Sequence, residues 1–183
     1  MEKLQILGFA GSLRTGSYNK MLLKTAKEMA PDDMEIEIFD LEGIPLFNQD
    51  LENQPVERVK DFKEKIKSAD GLLMAVPEYN YSVSGVLKNA IDAASRPYGT
   101  SPFDGKPGAI MGASTGMLGS SRAQYHLRQS LTALNVLLLN RPEVMVTFAE
   151  KKFDSTGRLI DEPTRELVYK LLLALKEWVI KFK

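Results

Sequence analysis

Apolar positions along this chain alternate between short unbroken runs and longer stretches with helical spacing. Residues 4–9 form a short apolar run, with Gln5 its one polar position, and predict a buried strand. Tyr18, Met21, Leu22, Thr25, Ala26 and Met29 then recur every three to four positions and predict a helix. Residues 35–41 alternate as a strand, and Val59, Phe62, Ile66 and Ala69 mark a second helix. A second run, 72–76, is unbroken and is stopped by Pro77. Val83, Val86, Leu87, Ala90, Ile91 and Ala94 predict a third helix that closes near Pro97. A strand over 109–113 and a helix over roughly 118–134 follow. The last strand reads as two segments, 136–139 and 144–148, separated by Asn140-Arg141-Pro142. Leu167, Leu171, Leu175, Trp178 and Phe182 line one side of a final helix.

Continuous apolar strands alternating with amphipathic helices predict an α/β fold: a five-stranded parallel sheet with helices on both faces, a three-layer sandwich. No repeat or linker divides the chain, so residues 1–183 read as a single domain. Ligands of such sheets sit at the carboxyl ends of the strands, near the point where the strand order reverses. The loops after strands one, three and four are therefore where chemistry is expected.

Composition narrows that chemistry. Lys+Arg and Asp+Glu both total 24, so the positive excess of a nucleic-acid binder is missing. There is no cysteine, which removes disulfides, thiol catalysis and Cys-ligated metals; His126 is the sole histidine, which removes multi-histidine metal sites. With so little side-chain chemistry available, an enzyme of this composition draws on a cofactor. No apolar run nears the roughly 18 residues of a membrane span, and the expectation is a soluble cytoplasmic protein with no metal.

The first loop is Gly11-Ser12-Leu13-Arg14-Thr15-Gly16-Ser17-Tyr18-Asn19. Its glycines, hydroxyls and Arg14 precede a helix start, which together describe a phosphate or other anion site. Its glycine spacing fits neither a Walker A loop nor a dinucleotide fingerprint. The second loop, Pro77-Glu78-Tyr79-Asn80-Tyr81-Ser82, gathers aromatic, amide and acidic groups suited to a flat heteroaromatic ligand, or to half-buried packing. The third, Gly112-Ala113-Ser114-Thr115-Gly116, offers further close N–H groups and also matches the G-x-S-x-G nucleophile elbow. A hydrolase needs an acid and then a histidine after that serine. His126 follows by only 126 − 114 = 12 positions, with no Asp or Glu between, and falls inside a helix. Ser114 is thus expected to lack a base. The segment 96–106, rich in Pro, Gly and Ser, could border the site or be a plain surface loop.

Three segments, GSLRTGSYN (11–19), PEYNYSVSGVLKNAIDAASRP (77–97) and GASTGMLGSSRAQYHLRQSLTALN (112–135), together with Asn140-Arg141-Pro142-Glu143, resemble the NADPH-dependent FMN reductases among flavodoxin-like proteins, a group with chromate, quinone and azo-dye reductases. The resemblance covers nearly the whole chain. Ala93-Ala94 depart from it where many relatives carry tryptophan after AID.

The resemblance implies bound FMN, with its phosphate on Ser12, Arg14, Ser17 and Asn19 and with Gly11 and Tyr18 in the same loop. It places the ring system on Pro77, Glu78, Tyr79 and Asn80, with Tyr81 nearby, and its other edge on Ser114, Thr115 and Gly116. No side chain is implied as catalytic; NADPH or NADH gives hydride to the flavin. A quinone, free flavin, azo compound or metal oxyanion such as chromate then accepts the electrons. It further implies a homodimer or homotetramer, with Arg122, Tyr125 and Glu143 in polar contacts between subunits. The alternative is an electron-transfer module like a flavodoxin, which would not oxidise NAD(P)H directly.

Overall fold

The computed structural model describes residues 3–183. Its core is a parallel sheet built from β1 (Leu4–Ala10), β2 (Met34–Phe39), β3 (Gly71–Ala75), β6 (Pro107–Ala113), β7 (Leu137–Leu138) and β8 (Val144–Val146), in the order β2-β1-β3-β6-β7 with β8 also on β6. A separate antiparallel pair, β4 (Glu78–Tyr79) and β5 (Ser82–Val83), stands outside it. The helices are α1 (Tyr18–Glu28), α2 (Glu57–Ser68), α3 (Gly85–Ala94), α4 (Ser121–Ala133) and α5 (Glu162–Phe182). This is the α/β sandwich the sequence pattern predicts, in the flavodoxin-like form that the resemblance implies.

The unbroken apolar runs arise because each strand feeds two cores. Leu4, Ile6 and Ala10 of β1 join one cluster with α1 and α5, while Leu7 and Phe9 join the other with α2, α3 and α4. The same alternation sends Leu73 and Ala75 one way and Leu72 and Met74 the other. Both faces of β3 are covered along its whole length, and β1 is exposed only at Gln5, so these strands are apolar almost throughout.

Five strand positions were expected, and the sheet has six strands. The difference lies in the fifth position, which two segments share. β7 pairs with Pro107 and Gly108 and β8 with residues 111–113 of the same strand. Residues 139–143 therefore loop out opposite only Ala109 and Ile110. Arg128 holds this excursion from α4 through its guanidinium, which donates to the Leu139 carbonyl at 2.9 Å.

Three boundaries differ from expectation. Val83 pairs with Glu78 in β5, and α3 starts only at Gly85, because Ser84 caps it by accepting from the Leu87 N–H at 3.3 Å. Residues 118–120 form a turn ahead of α4, since Gly119 and Ser120 both have positive φ. α5 extends back to Glu162, where Asp161 caps it and Pro163 fits the first turn. Segment 96–106 connects the end of α3 to the start of β6, at the edge opposite the three loops. Phe103 anchors it in the core, so its role is that of a surface connection. At the departure from the resemblance, Ala94 is buried and Ala93 half-buried.

Candidate functional site

The sheet brings the three loops together by continuing its hydrogen bonding beyond the strand ends. The Gly11 N–H donates to the Ala75 carbonyl at 3.0 Å, Val76 N–H to Met111 at 2.9 Å, and Ser114 N–H to Val146 at 2.9 Å. An open cleft of about 210 Å³ lies between the loops. Loop one lines it with Ser12, Arg14, Ser17, Tyr18 and Asn19, loop two with Pro77, Glu78 and Tyr79, and loop three with Ala113, Ser114 and Thr115. Every one of these except Ala113 was expected from the sequence. Gly11, Asn80, Tyr81 and Gly116 were also expected and lie beside this lining rather than in it.

Buried side chains fasten the loops to each other. Asn19, 4% exposed, donates from Nδ2 to the Ala113 carbonyl at 2.9 Å and accepts the Ala113 N–H at 3.0 Å. Both ends of its amide are thus spent joining loop one to loop three. Ser84 donates to the Gly11 carbonyl at 2.7 Å and joins loop one to the base of loop two. Gly11 permits this approach, since a Cβ there would lie 2.8 Å from both Ser84 Oγ and Leu87 Cβ. Gly112 does the same under loop three, where a Cβ would meet Val76 O at 2.6 Å.

Loop one has the donors an anion needs. Ser17 caps α1, accepting from the Lys20 N–H at 3.4 Å. Among the described residues, nothing accepts from the N–H groups of Leu13, Thr15, Gly16, Tyr18 or Asn19. The positive end of the α1 dipole adds to their pull on negative charge. Arg14 is exposed; its guanidinium donates to the Gly16 carbonyl and sits 5.8 Å from the Tyr18 ring centre.

Loop two is a tight hairpin. Glu78 pairs with Val83 and Tyr79 with Ser82, and both turn residues, Asn80 (φ 48°) and Tyr81 (φ 68°), adopt the left-handed conformation. That combination matches the twist of a two-residue hairpin. It leaves Tyr79 and Tyr81 exposed at the mouth of the cleft. The Glu78 side chain is only 8% exposed and is ion-paired with Arg122. Its other oxygen accepts the Ala123 N–H in the first turn of α4 at 3.4 Å. The Arg122 guanidinium lies 3.6 Å from the centre of the Tyr81 ring, and its bond to Glu78 raises its pKa.

Arg122, expected in contacts between subunits, thus also has polar partners within its own chain. So do Tyr125 and Glu143, whose hydroxyl and carboxylate meet at 3.0 Å; that bond pushes the Tyr125 phenol up. His126 Nδ1 lies 3.0 Å from Ser82 Oγ on the hairpin, and Ser114 has no histidine beside it. The Ser114 hydroxyl oxygen instead accepts the Gly116 N–H at 3.1 Å. The elbow serine therefore has no base to activate it. Sequence reasoning missed Ala113 as lining, the bond from Ser84 to Gly11, and the Glu78–Arg122 and Ser82–His126 contacts. The one available signal was a serine placed to cap α3.

Comparison with known proteins gives this site its context. The family model described as NADPH-dependent FMN reductase matches residues 4–151. An NAD(P)H-dependent FMN reductase of Pseudomonas aeruginosa is 52% identical over 185 residues, covering 100% of this chain and 98% of that protein. A quinone reductase of Escherichia coli K12 is 40% identical over 186 residues, with 100% and 98% covered. Among solved structures, a flavoenzyme NAD(P)H:(acceptor) oxidoreductase from Paracoccus denitrificans superposes with a TM-score of 0.90 at 32% identity, covering 98% of each chain.

Proposed function

Because the chain belongs to the NADPH-dependent FMN reductase family, it is an NAD(P)H-dependent oxidoreductase that works through FMN, and we propose that quinones are its principal acceptors. The observation that carries this reading is the joining, in one cleft, of an anion-binding helix start to a wall of tyrosines and hydrogen-bonding groups. When bound, FMN supplies hydride acceptance from NADPH or NADH and electron delivery to the acceptor. The chain supplies binding and electrostatics.

Ser12, Arg14 and the unbonded N–H groups of Thr15, Gly16, Tyr18 and Asn19 suit the phosphate, a charge-assisted and directional set of donors. Asn19 holds that loop at a fixed distance from loop three. Pro77, Glu78 and Tyr79, with Asn80 and Tyr81 at the turn, suit one side of the ring system. Ser114, Thr115 and Gly116 suit its opposite edge. Among the described residues the Thr115 N–H has no acceptor, and it can stabilise negative charge gained on reduction. The exposed rings of Tyr79 and Tyr81 offer a flat acceptor such as a quinone a stacking surface. Free flavin, azo compounds and chromate are secondary acceptors of the same open face.

The whole chain is read as one domain acting as a homodimer or homotetramer, with the Tyr125–Glu143 pair on its exposed contact face. No helix among the described residues is long and apolar enough to cross a membrane. A cysteine-free reductase drawing on NAD(P)H suits the cytoplasm. The test is an anaerobic titration of the FMN-loaded protein. NADPH or NADH should bleach the flavin absorbance with two electrons per FMN, and a benzoquinone should restore it. FAD as the only flavin retained, or no flavin after reconstitution, would overturn the reading.

A further inference from the structure

We propose that Arg122 is a positioning residue for the flavin chemistry: it cancels the charge of Glu78 at the cleft wall and pins the 78–83 hairpin against α4. The proposal rests on the FMN reading above. Glu78 lines the cleft, and its side chain is nearly sealed from solvent. A carboxylate in that place, left alone, would repel the negative charge that a reduced flavin carries, in surroundings where water screens poorly. Arg122 supplies the compensating charge by ion pairing directly with that carboxylate.

The same side chain fixes the shape of the wall. Arg122 lies between two residues of one hairpin, bonded to Glu78 and stacked 3.6 Å from the centre of the Tyr81 ring. One helical turn later, His126 meets Ser82 at 3.0 Å. α4 thus grips the hairpin at successive positions of one face. The attachment is reciprocal. Ser120, at the N-cap of α4, makes no side-chain cap bond, and its hydroxyl oxygen accepts from Gln124 Nε2 at 3.2 Å. Glu78 provides the missing acceptor through the Ala123 N–H. The Glu78–Arg122 pair therefore joins the end of a helix, the conformation of a strained turn and the charge of the cleft.

Two effects of Arg122 can be separated by charge. Arg122→Gln removes both compensation and clamp. Glu78→Gln in the same protein removes the charge that needed compensating but leaves the hairpin unclamped. Arg122→Lys keeps the charge and loses the planar stack. The measurements are the FMN midpoint potential by dye equilibration at pH 8, and hydrogen exchange of the hairpin amides in the flavin-free protein.

Wild type must first bind FMN and be reduced by NADPH; failure there would sink the FMN reading itself. Given that, Arg122→Gln should lower the reduced-to-oxidised ratio at fixed potential at least tenfold, which is about 30 mV for two electrons. Exchange at residues 79–83 should quicken at least tenfold. The double variant Glu78→Gln/Arg122→Gln should recover the potential while exchange stays fast, and Arg122→Lys should recover most of the potential. Potentials of Arg122→Gln and wild type within twofold in that ratio would overturn the charge role. Hairpin exchange unchanged in Arg122→Gln would overturn the clamp.

Discussion

Replacing Asn19 by alanine tests whether the site is built by loop-to-loop hydrogen bonds or by ligand contacts. In the folded chain both ends of the Asn19 amide are bonded to Ala113, at 2.9 and 3.0 Å, in a nearly water-free setting. Truncation leaves the Ala113 N–H and carbonyl without partners. Each orphaned buried group costs about 1–3 kcal/mol, and a water entering the vacated space would recover part of that. A net loss of about 2–4 kcal/mol is expected, hence a fall in Tm of about 4–16 °C for a domain of this size. Urea unfolding of the flavin-free protein measures the loss directly. Because the bond spaces loop one from loop three, FMN and riboflavin should lose affinity by the same factor. Asn19→Asp should be equally costly, since its second oxygen would face the Ala113 carbonyl. A loss under about 0.5 kcal/mol, the range of ordinary surface changes, would refute the reasoning. So would a variant of normal stability that loses FMN but keeps riboflavin, because Asn19 would then be a phosphate ligand.

Arg14→Ala gives the opposite pattern: stability should stay within about 0.5 kcal/mol because the side chain is exposed. FMN affinity, read by fluorescence titration, should fall about 10–150-fold from loss of a charge-assisted bond, with riboflavin little affected. Ser114→Ala should keep at least about half of the NADPH–quinone activity and unchanged flavin content. Its hydroxyl oxygen is bonded to the Gly116 N–H and has no base beside it, so near-total loss would restore the nucleophile reading. At the start of α5, the Thr164 hydroxyl and N–H hold the Asp161 carboxyl below its ordinary pKa. That group therefore stabilises the fold above about pH 4 and gives up its contribution as pH falls through the lowered folded value. Thermal melts should show Asp161→Ala costing about 1 kcal/mol at pH 7, and Asp161→Asn, which still caps, flattening the acid limb of the stability curve.

The fold was legible because burial on both faces leaves an unmistakable mark. A run such as residues 72–76 has no polar position, and only a covered parallel sheet explains several such runs in one chain. Even the divided last strand was visible, since Asn140-Arg141-Pro142 interrupts it. The hairpin of loop two was not. Val83, Val86 and Leu87 are spaced as a helix would space them, so the spacing predicts Val83 in α3, whereas it pairs with Glu78 in β5. The turn itself needs two left-handed residues, a demand usually announced by Asn-Gly. Here tyrosine occupies the second place, so the composition hides the geometry.

The site divides along the same line. Residues that line the cleft were legible because strand ends fix where ligands go, and the loops there carry side chains with no packing purpose. What holds those loops was not. Asn19 near a helix start reads as an anion ligand, and its actual partner is the backbone of Ala113, 94 positions away. A backbone partner has no side-chain identity and so leaves no trace in composition or spacing. The contact between Arg122 and Glu78 is equally silent: the resemblance points to each residue separately, and only the hairpin brings them together. A pattern along the chain records which faces are buried. The bonds that set distances between loops run across the chain, and they become visible only once the sheet has put its strand ends side by side.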